Sequence, residues 1–108
     1  MSRLTYDILK DTQNNQCLIT NEVLRENLGH YFVLDIRFEA DTHDVFITDA
    51  LKCHWFDVYK LIDKDMLPKT QPIAVVCYTG QSSMHVATLL TILGYEAYSL
   101  LDGMAKWI

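Results

Sequence analysis

Short apolar runs alternate along this chain with polar stretches that suit helices. Tyr31-Phe32-Val33-Leu34-Asp35-Ile36 and Ile73-Ala74-Val75-Val76 are apolar almost without interruption. Runs of this kind suit strands covered on both faces, as in a parallel sheet. Cys17-Leu18-Ile19, Ala50-Leu51-Lys52-Cys53-His54 and Glu96-Ala97-Tyr98-Ser99-Leu100 are weaker strand candidates. Thr20 is placed to cap a helix over 21–28, with Gly29 as its stop. A second helix is expected over 57–66, with Phe56, Tyr59, Leu61 and Ile62 as its apolar members. Pro68 and Pro72 bracket the turn that follows it. For the third helix, Ser82 or Ser83 is the expected cap and Gly94 the stop. Val86, Leu89, Leu90 and Leu93 recur along it at helical spacing. Met104-Ala105-Lys106-Trp107 begins a final helical turn. Strands alternating with helices predict an α/β fold, with a central, mostly parallel sheet of about five strands and helices on both faces.

Residues 1–16 stand apart. Leu4, Ile8 and Leu9 fall on one side of a short helix, and Asp11-Thr12-Gln13-Asn14-Asn15 then makes a polar break. The segment therefore reads as an N-terminal extension, with one domain over 17–108. A total of 108 residues, half of them hydrophobic, is enough for one compact core and too little for two.

Charge narrows the partners. Nine basic against fourteen acidic residues leave a net charge of -5, and the basic residues are scattered. Nucleic acid is not an expected partner, because binding it needs clustered Lys and Arg to neutralise phosphates. No apolar stretch approaches the roughly 20 residues that span a bilayer, and Met1-Ser2-Arg3-Leu4 begins no apolar leader. Cys17, Cys53 and Cys77 are odd in number and far apart, which suits free thiols in a reducing compartment, and the cytoplasm is the expected one. They form no Cys-x-x-Cys pair, and no metal site is expected.

The segment Cys77-Tyr78-Thr79-Gly80-Gln81-Ser82-Ser83 carries the candidate chemistry. It follows a buried strand and precedes a helix, the place where parallel sheets open their binding crevice. Backbone N–H groups of the loop and the first helical turn lack intrahelical acceptors, so they favour an anion such as a thiolate. Gly80 lets the backbone bend around that anion, while Thr79, Ser82 and Ser83 add small hydroxyl donors. The alternative is structural: a cysteine after Ile-Ala-Val-Val can simply complete an apolar strand.

Several strings together resemble the rhodanese family. Val75-Val76-Cys77-Tyr78-Thr79-Gly80-Gln81-Ser82-Ser83, Val86-Ala87, Leu89-Leu90, Leu93-Gly94-Tyr95 and Leu101-Asp102-Gly103-Met104-Ala105-Lys106-Trp107 look like the second half of such a domain. Val33-Leu34-Asp35-Ile36-Arg37 is similar to the family's first long strand with its Asp-x-Arg ending. Ile47-Thr48-Asp49-Ala50-Leu51 sits where the family has a Gly-His-Ile-Pro-Gly-Ala segment. Val45-Phe46 replace its Gly-His pair, Asp49 replaces its second Gly, and His43 lies nearby but off register. The chain stops at Trp107-Ile108, where the family continues a terminal helix, so a domain boundary is expected there.

The resemblance implies a rhodanese-like fold and a cofactor-free sulfurtransferase. Cys77 is then the nucleophile that takes sulfane sulfur as a persulfide from a donor such as thiosulfate. A thiol, a cyanide-like nucleophile or a protein acceptor removes it. Amides from Tyr78 through Ser83 stabilise the thiolate and the persulfide, and Tyr78 and Gln81 shape the pocket mouth. The loop has no basic residue, so weak binding of anionic donors is expected. Asp35 and Arg37 are supporting residues, expected to tie loops together by ion pairing. His85 is expected to face solvent.

Three rival readings remain. A phosphatase would need an Arg closing the cysteine loop, where Ser82 and Ser83 stand instead. A rhodanese module that only binds or regulates a partner is the second. The third is a thiol redox sensor in which Cys17 or Cys53 resolves an oxidised Cys77, which requires Cα atoms within about 7 Å.

Overall fold

The computed structural model describes residues 17–37 and 46–107. The helix expected within 1–16 and most of the irregular stretch after Arg37 lie outside these residues. Five strands, β1 (Leu18–Ile19), β2 (Phe32–Asp35), β3 (Leu51–Lys52), β4 (Ile73–Val76) and β5 (Ala97–Leu100), form one sheet in the order β1-β5-β4-β2-β3. Every pairing in it is parallel.

Helix α1 (Asn21–Glu26) follows β1, α2 (Val58–Asp63) follows β3, and α3 (Gln81–Ile92) links β4 to β5. Residue parity along the strands separates two cores. Leu34, Ile36, Ile73, Val75, Cys77 and Ala97 pack with Val58 and Leu61 of α2 and with Val86, Ala87 and Leu90 of α3. Ile19, Val33, Ala74, Val76 and Leu100 pack on the other face with Leu24 of α1, Ile47 and Met104. Strand β4 is buried along its whole length, as its unbroken apolar sequence requires. Removing one of its fully buried side chains, as in Ile73→Ala, costs about 2–5 kcal/mol through lost burial and the cavity left behind.

The boundaries of α1 and α2 differ from expectation in three places. Thr20 does cap α1, its hydroxyl accepting the Val23 N–H at 3.2 Å. The helix ends at Glu26, however, because the Asn27 side chain donates to the Val23 carbonyl at 2.7 Å, and Gly29 takes no part. Helix α2 starts after a 3-10 turn at Trp55–Asp57 and stops at Asp63 rather than near Met66. Asp65 adopts φ 54, letting its own N–H and that of Met66 reach the carbonyls of Ile62 and Leu61. On α3 the buried residues are Ser83, Val86, Ala87 and Leu90, an i, i+3, i+4, i+7 stripe. Leu89 and Leu93 lie off that stripe and are 48% and 54% exposed. Gly94, at φ 99, ends α3 as expected.

Asp49 keeps a left-handed backbone, φ 67, at the position where the family pattern has glycine. Asp is one of the few residues that tolerates this conformation, so the turn keeps its path without glycine.

Candidate active site

Cys77 follows β4 directly, in the middle strand of the sheet. Its loop is shorter than the expected seven residues. Gly80, not Ser82 or Ser83, occupies the N-cap of α3, and both serines lie in the first helical turn. Gly80 has φ 98, and a Cβ there would stand 2.7 Å from the Leu101 carbonyl oxygen. Only glycine fits that turn without strain.

With no capping side chain at Gly80, the cysteine sulfur supplies the missing acceptor. Cys77 Sγ accepts the Gly80 N–H at 3.0 Å and the Ser83 N–H at 3.3 Å. Both amides are of the kind a helix leaves unsatisfied at its start, and both point a partial positive charge at the sulfur. The thiol in turn donates to Ser83 Oγ at 3.4 Å. Ser83 Oγ and Ser99 Oγ lie 2.6 Å apart, and Ser99 Oγ donates to the Gly80 carbonyl at 3.5 Å. Hydroxyls rotate freely, so this pair can reverse direction: Ser83 accepts from a thiol and donates to a thiolate, with Ser99 supplying the proton that Ser83 then accepts. Both serines are completely buried.

The loop is clamped from its other side. Met104 N–H donates to the Cys77 carbonyl at 2.8 Å and Ala105 N–H to the Tyr78 carbonyl at 2.9 Å. These two residues belong to the 3-10 turn Met104–Lys106. Gly103, at φ 67, passes so close to the loop that a Cβ would collide with the Tyr78 carbonyl. The Gly103-Met104-Ala105 string thus holds the cysteine loop in shape.

A cavity of about 150 Å³ opens over Cys77, which is itself 6% exposed. Tyr78, Thr79 and Ser82 line it, with Ile36, Arg37 and Trp55. Gln81 is exposed and does not line this cavity, although the sequence places it at the pocket mouth. The sulfur's hydrogen bonds come from the amides of Gly80 and Ser83, not from every amide of the loop.

Asp35 and Arg37 form a buried fork. Arg37 Nη2 donates to Asp35 Oδ2 at 2.7 Å and Nε to Oδ1 at 3.0 Å, while the Arg37 backbone N–H also donates to Oδ1 at 3.1 Å. An ion pair is what the sequence led us to expect of these two residues, and Arg37 also forms part of the cavity wall. Its charge is balanced there by the Asp35 carboxylate, so the wall offers an anion much less than a free guanidinium would.

The other two cysteines are not in position to resolve Cys77. Cys53 N–H donates to the Asp35 carbonyl and Ile36 N–H to the Val76 carbonyl, which places Cys53, Ile36 and Cys77 side by side across three strands. Two strand spacings put Cys53 about 9–10 Å from Cys77, beyond disulfide reach. Cys17 lies beside Tyr98, which pairs with Ala74, three residues below Cys77 along β4. None of the three is in a disulfide. Burial pushes the Cys53 thiol up from its ordinary value of 9.0, and the nearby Asp57 carboxylate pushes the same way. Among the described residues no cluster of His, Cys, Asp and Glu could hold a metal ion, and no helix is long and apolar enough to cross a membrane.

Sequence reasoning missed Trp55, Ile36 and Ser99. Trp55 comes from the β3–α2 connection and carries no motif. Ser99 left one signal, a polar residue inside the apolar strand Ala97-Tyr98-Ser99-Leu100. His85 is solvent-facing as expected, yet it stands beside Trp55 and Ser82 at the edge of the site.

Known proteins share the fold. A stretch of 42 residues is 45% identical to a thiosulfate sulfurtransferase GlpE of Tolumonas auensis, covering 38% of this chain and 40% of that protein. The match thus spans well under half the length of that relative. A rhodanese homologue from Thermus thermophilus superposes with a TM-score of 0.64 at 29% identity, over 82% of this chain and 96% of its own. A Rhodopseudomonas palustris protein of unknown function, described as a possible tyrosine phosphatase, shares the fold with a TM-score of 0.78 at 17% identity, over 99% of this chain and 90% of its own. Residues 20–108 match the model of the Rhodanese-like domain, and the chain belongs to that family.

Proposed function

We propose that the domain is a sulfurtransferase that carries sulfane sulfur as a persulfide on Cys77. The observation that supports this most directly is the sulfur itself, which accepts two backbone amides at the base of a small open cavity. In the first step the Cys77 thiolate attacks the outer sulfur of thiosulfate. A new S–S bond forms, the donor's S–S bond breaks, and sulfite leaves with the electron pair. In the second step an acceptor nucleophile attacks the outer sulfur of the persulfide, and the Cys77 thiolate is restored. The Gly80 and Ser83 amides serve both thiolate states, and the Ser83–Ser99 hydroxyl pair follows the change of charge. Because Arg37 is already paired with Asp35, thiosulfate gains little attraction from the wall, which favours less charged sulfane donors.

The phosphatase reading has no support at this site. No Arg occurs between Cys77 and Ser83, so a phosphate would lack its bidentate clamp. Three cysteines outside any disulfide suit a reducing cytoplasm as the working compartment.

Intact mass spectrometry tests the proposal. After incubation with thiosulfate or another sulfane donor, the wild-type protein gains one sulfur atom and Cys77→Ala gains none. No gain with any sulfane donor would leave a non-catalytic binding module in its place.

A further inference from the structure

The cavity over Cys77 has two kinds of wall. Thr79 and Ser82 bring hydroxyl groups, whereas Ile36, Trp55 and Tyr78 bring apolar surface. The cation in the wall, Arg37, is held by Asp35 at 2.7 Å. Chemistry at the sulfur accounts for the loop, but it gives no task to Trp55, a large side chain 39% exposed on a separate connection.

Trp55 is firmly placed. It opens the 3-10 turn before α2, and that turn is pinned at several points. Cys53 N–H donates to the Asp35 carbonyl at 3.0 Å, and Asp57 N–H donates to the His54 carbonyl at 2.8 Å. Phe56 N–H donates to His54 Nδ1 at 3.3 Å. The Phe56 ring backs the indole, with centroids 3.9 Å apart. An aromatic ring fixed in advance offers contact area to a ligand with little further loss of freedom.

Size and charge say what would cover it. The cavity measures about 150 Å³, and a cavity of that volume holds one benzene ring in another protein. Trp55 and Ser82 also line, with His85, a depression of about 220 Å³, so a ring has room to extend outward. Thiosulfate is smaller than either space, would leave the indole uncovered, and brings two negative charges to a guanidinium that is already paired. An aryl thiosulfonate brings one negative charge, sulfonyl oxygens that can accept from hydroxyls, and a ring to lie against Trp55.

We infer that Trp55 determines the specificity of the cysteine pocket and selects sulfane donors that carry an aromatic ring, of which aryl thiosulfonates are the simplest. The inference rests on the sulfurtransferase reading. The Cys77 thiolate attacks the sulfane sulfur, a new S–S bond forms, and the bond between that sulfur and the sulfonyl sulfur breaks. The arenesulfinate leaves with the electron pair, and Cys77 keeps the persulfide.

Benzenethiosulfonate and methanethiosulfonate are the probes, because they share charge and reacting group and differ in the ring. Persulfide formation on Cys77 is followed by intact mass in wild type, Trp55→Ala and Trp55→Phe. The ratio of the two rate constants, benzene over methane, is expected to fall at least about tenfold in Trp55→Ala and to recover to within about threefold in Trp55→Phe. Any difference in intrinsic donor reactivity cancels between proteins, and a general disturbance of the site would lower both rates and leave the ratio unmoved. Calorimetry on Cys77→Ser protein reads binding without sulfur chemistry. Benzenesulfinate should bind at least about tenfold more tightly than methanesulfinate, and Trp55→Ala on the same background should remove that preference. A rate ratio unchanged by Trp55→Ala, with Cys77 taking up sulfur from both donors, overturns the inference and leaves the transferase reading standing. Equal binding of the two sulfinates, or a preference that survives Trp55→Ala, overturns it as well. If the preference depends on Trp55 but Cys77 takes up sulfur from no donor, the aromatic pocket stands and the transferase reading fails.

Discussion

Cys77 and Cys53 stand side by side in the sheet, separated by Ile36, with their side chains on the same face. Both follow the carboxyl end of a parallel strand, the place where α/β folds put their chemistry. Their surroundings are opposite. Cys77 accepts two amides and contacts a buried hydroxyl pair. Cys53 has as its polar contact the His54 carbonyl, to which its thiol donates at 3.7 Å, and the Asp57 carboxylate lies near. Two N–H dipoles point at the Cys77 sulfur, whereas burial and a carboxylate oppose negative charge on the Cys53 sulfur. Strand position alone therefore does not distinguish the two cysteines; the direction of the neighbouring dipoles does.

The comparison breaks most clearly at the sulfur atoms. Cys77→Ser is expected to lower sulfur transfer by at least about 10³-fold, as loss of a nucleophile does elsewhere. Cys53→Ser should leave the rate within about twofold, measured as thiocyanate formed from thiosulfate and cyanide. Comparable losses in both variants would remove the distinction. Next in size is Gly80→Ala. The new Cβ would press on the Leu101 carbonyl, and a left-handed alanine adds about 1–2 kcal/mol of strain. Displacement of the Gly80 amide from sulfur should reduce persulfide formation by about tenfold, read by intact mass over time.

Ser83→Ala isolates the hydroxyl pair while keeping the Ser83 amide. Ser99 loses its closest partner inside the protein, which is worth about 1–3 kcal/mol in a chemical melt, with slower loading of Cys77. The smallest effect concerns Cys53. Its raised pKa means that the fold prefers the protonated thiol, so this stabilisation is complete below pH 9.0 and fades as pH climbs through the raised value. At pH 8 iodoacetamide should label Cys53 more slowly than the same thiol in the unfolded chain. Asp57→Asn should speed that labelling modestly, because burial, the larger cause, remains.

Much of the architecture was legible because it depends on local pattern. The unbroken apolar strings at Val33-Leu34 and Ile73–Val76 carry the information that both faces of a strand are covered. The position of Cys77 after such a string placed it in the crevice. What escaped depended on contacts between distant segments. Ser82 and Ser83 have the chemistry of caps, but a left-handed Gly80 and the sulfur acceptor took that place, and neither is visible as a helix signal. Helical spacing grouped Leu89 and Leu93 with Val86 and Leu90, because periodicity says which residues are near each other and not whether anything covers them. Trp55 reaches the site through a crossover connection, and only the folded topology brings it beside Tyr78.

The clamp between the last turn and the cysteine loop has one more consequence. Met104 and Ala105 donate their amide protons to the carbonyls of Cys77 and Tyr78, so neither amide can exchange with deuterated solvent until that contact opens. The two amides are therefore clocks for the loop. Their exchange rates report how often the Cys77 backbone lets go of the last turn. A sulfur atom added to Cys77 would be registered there, at residues that never touch it.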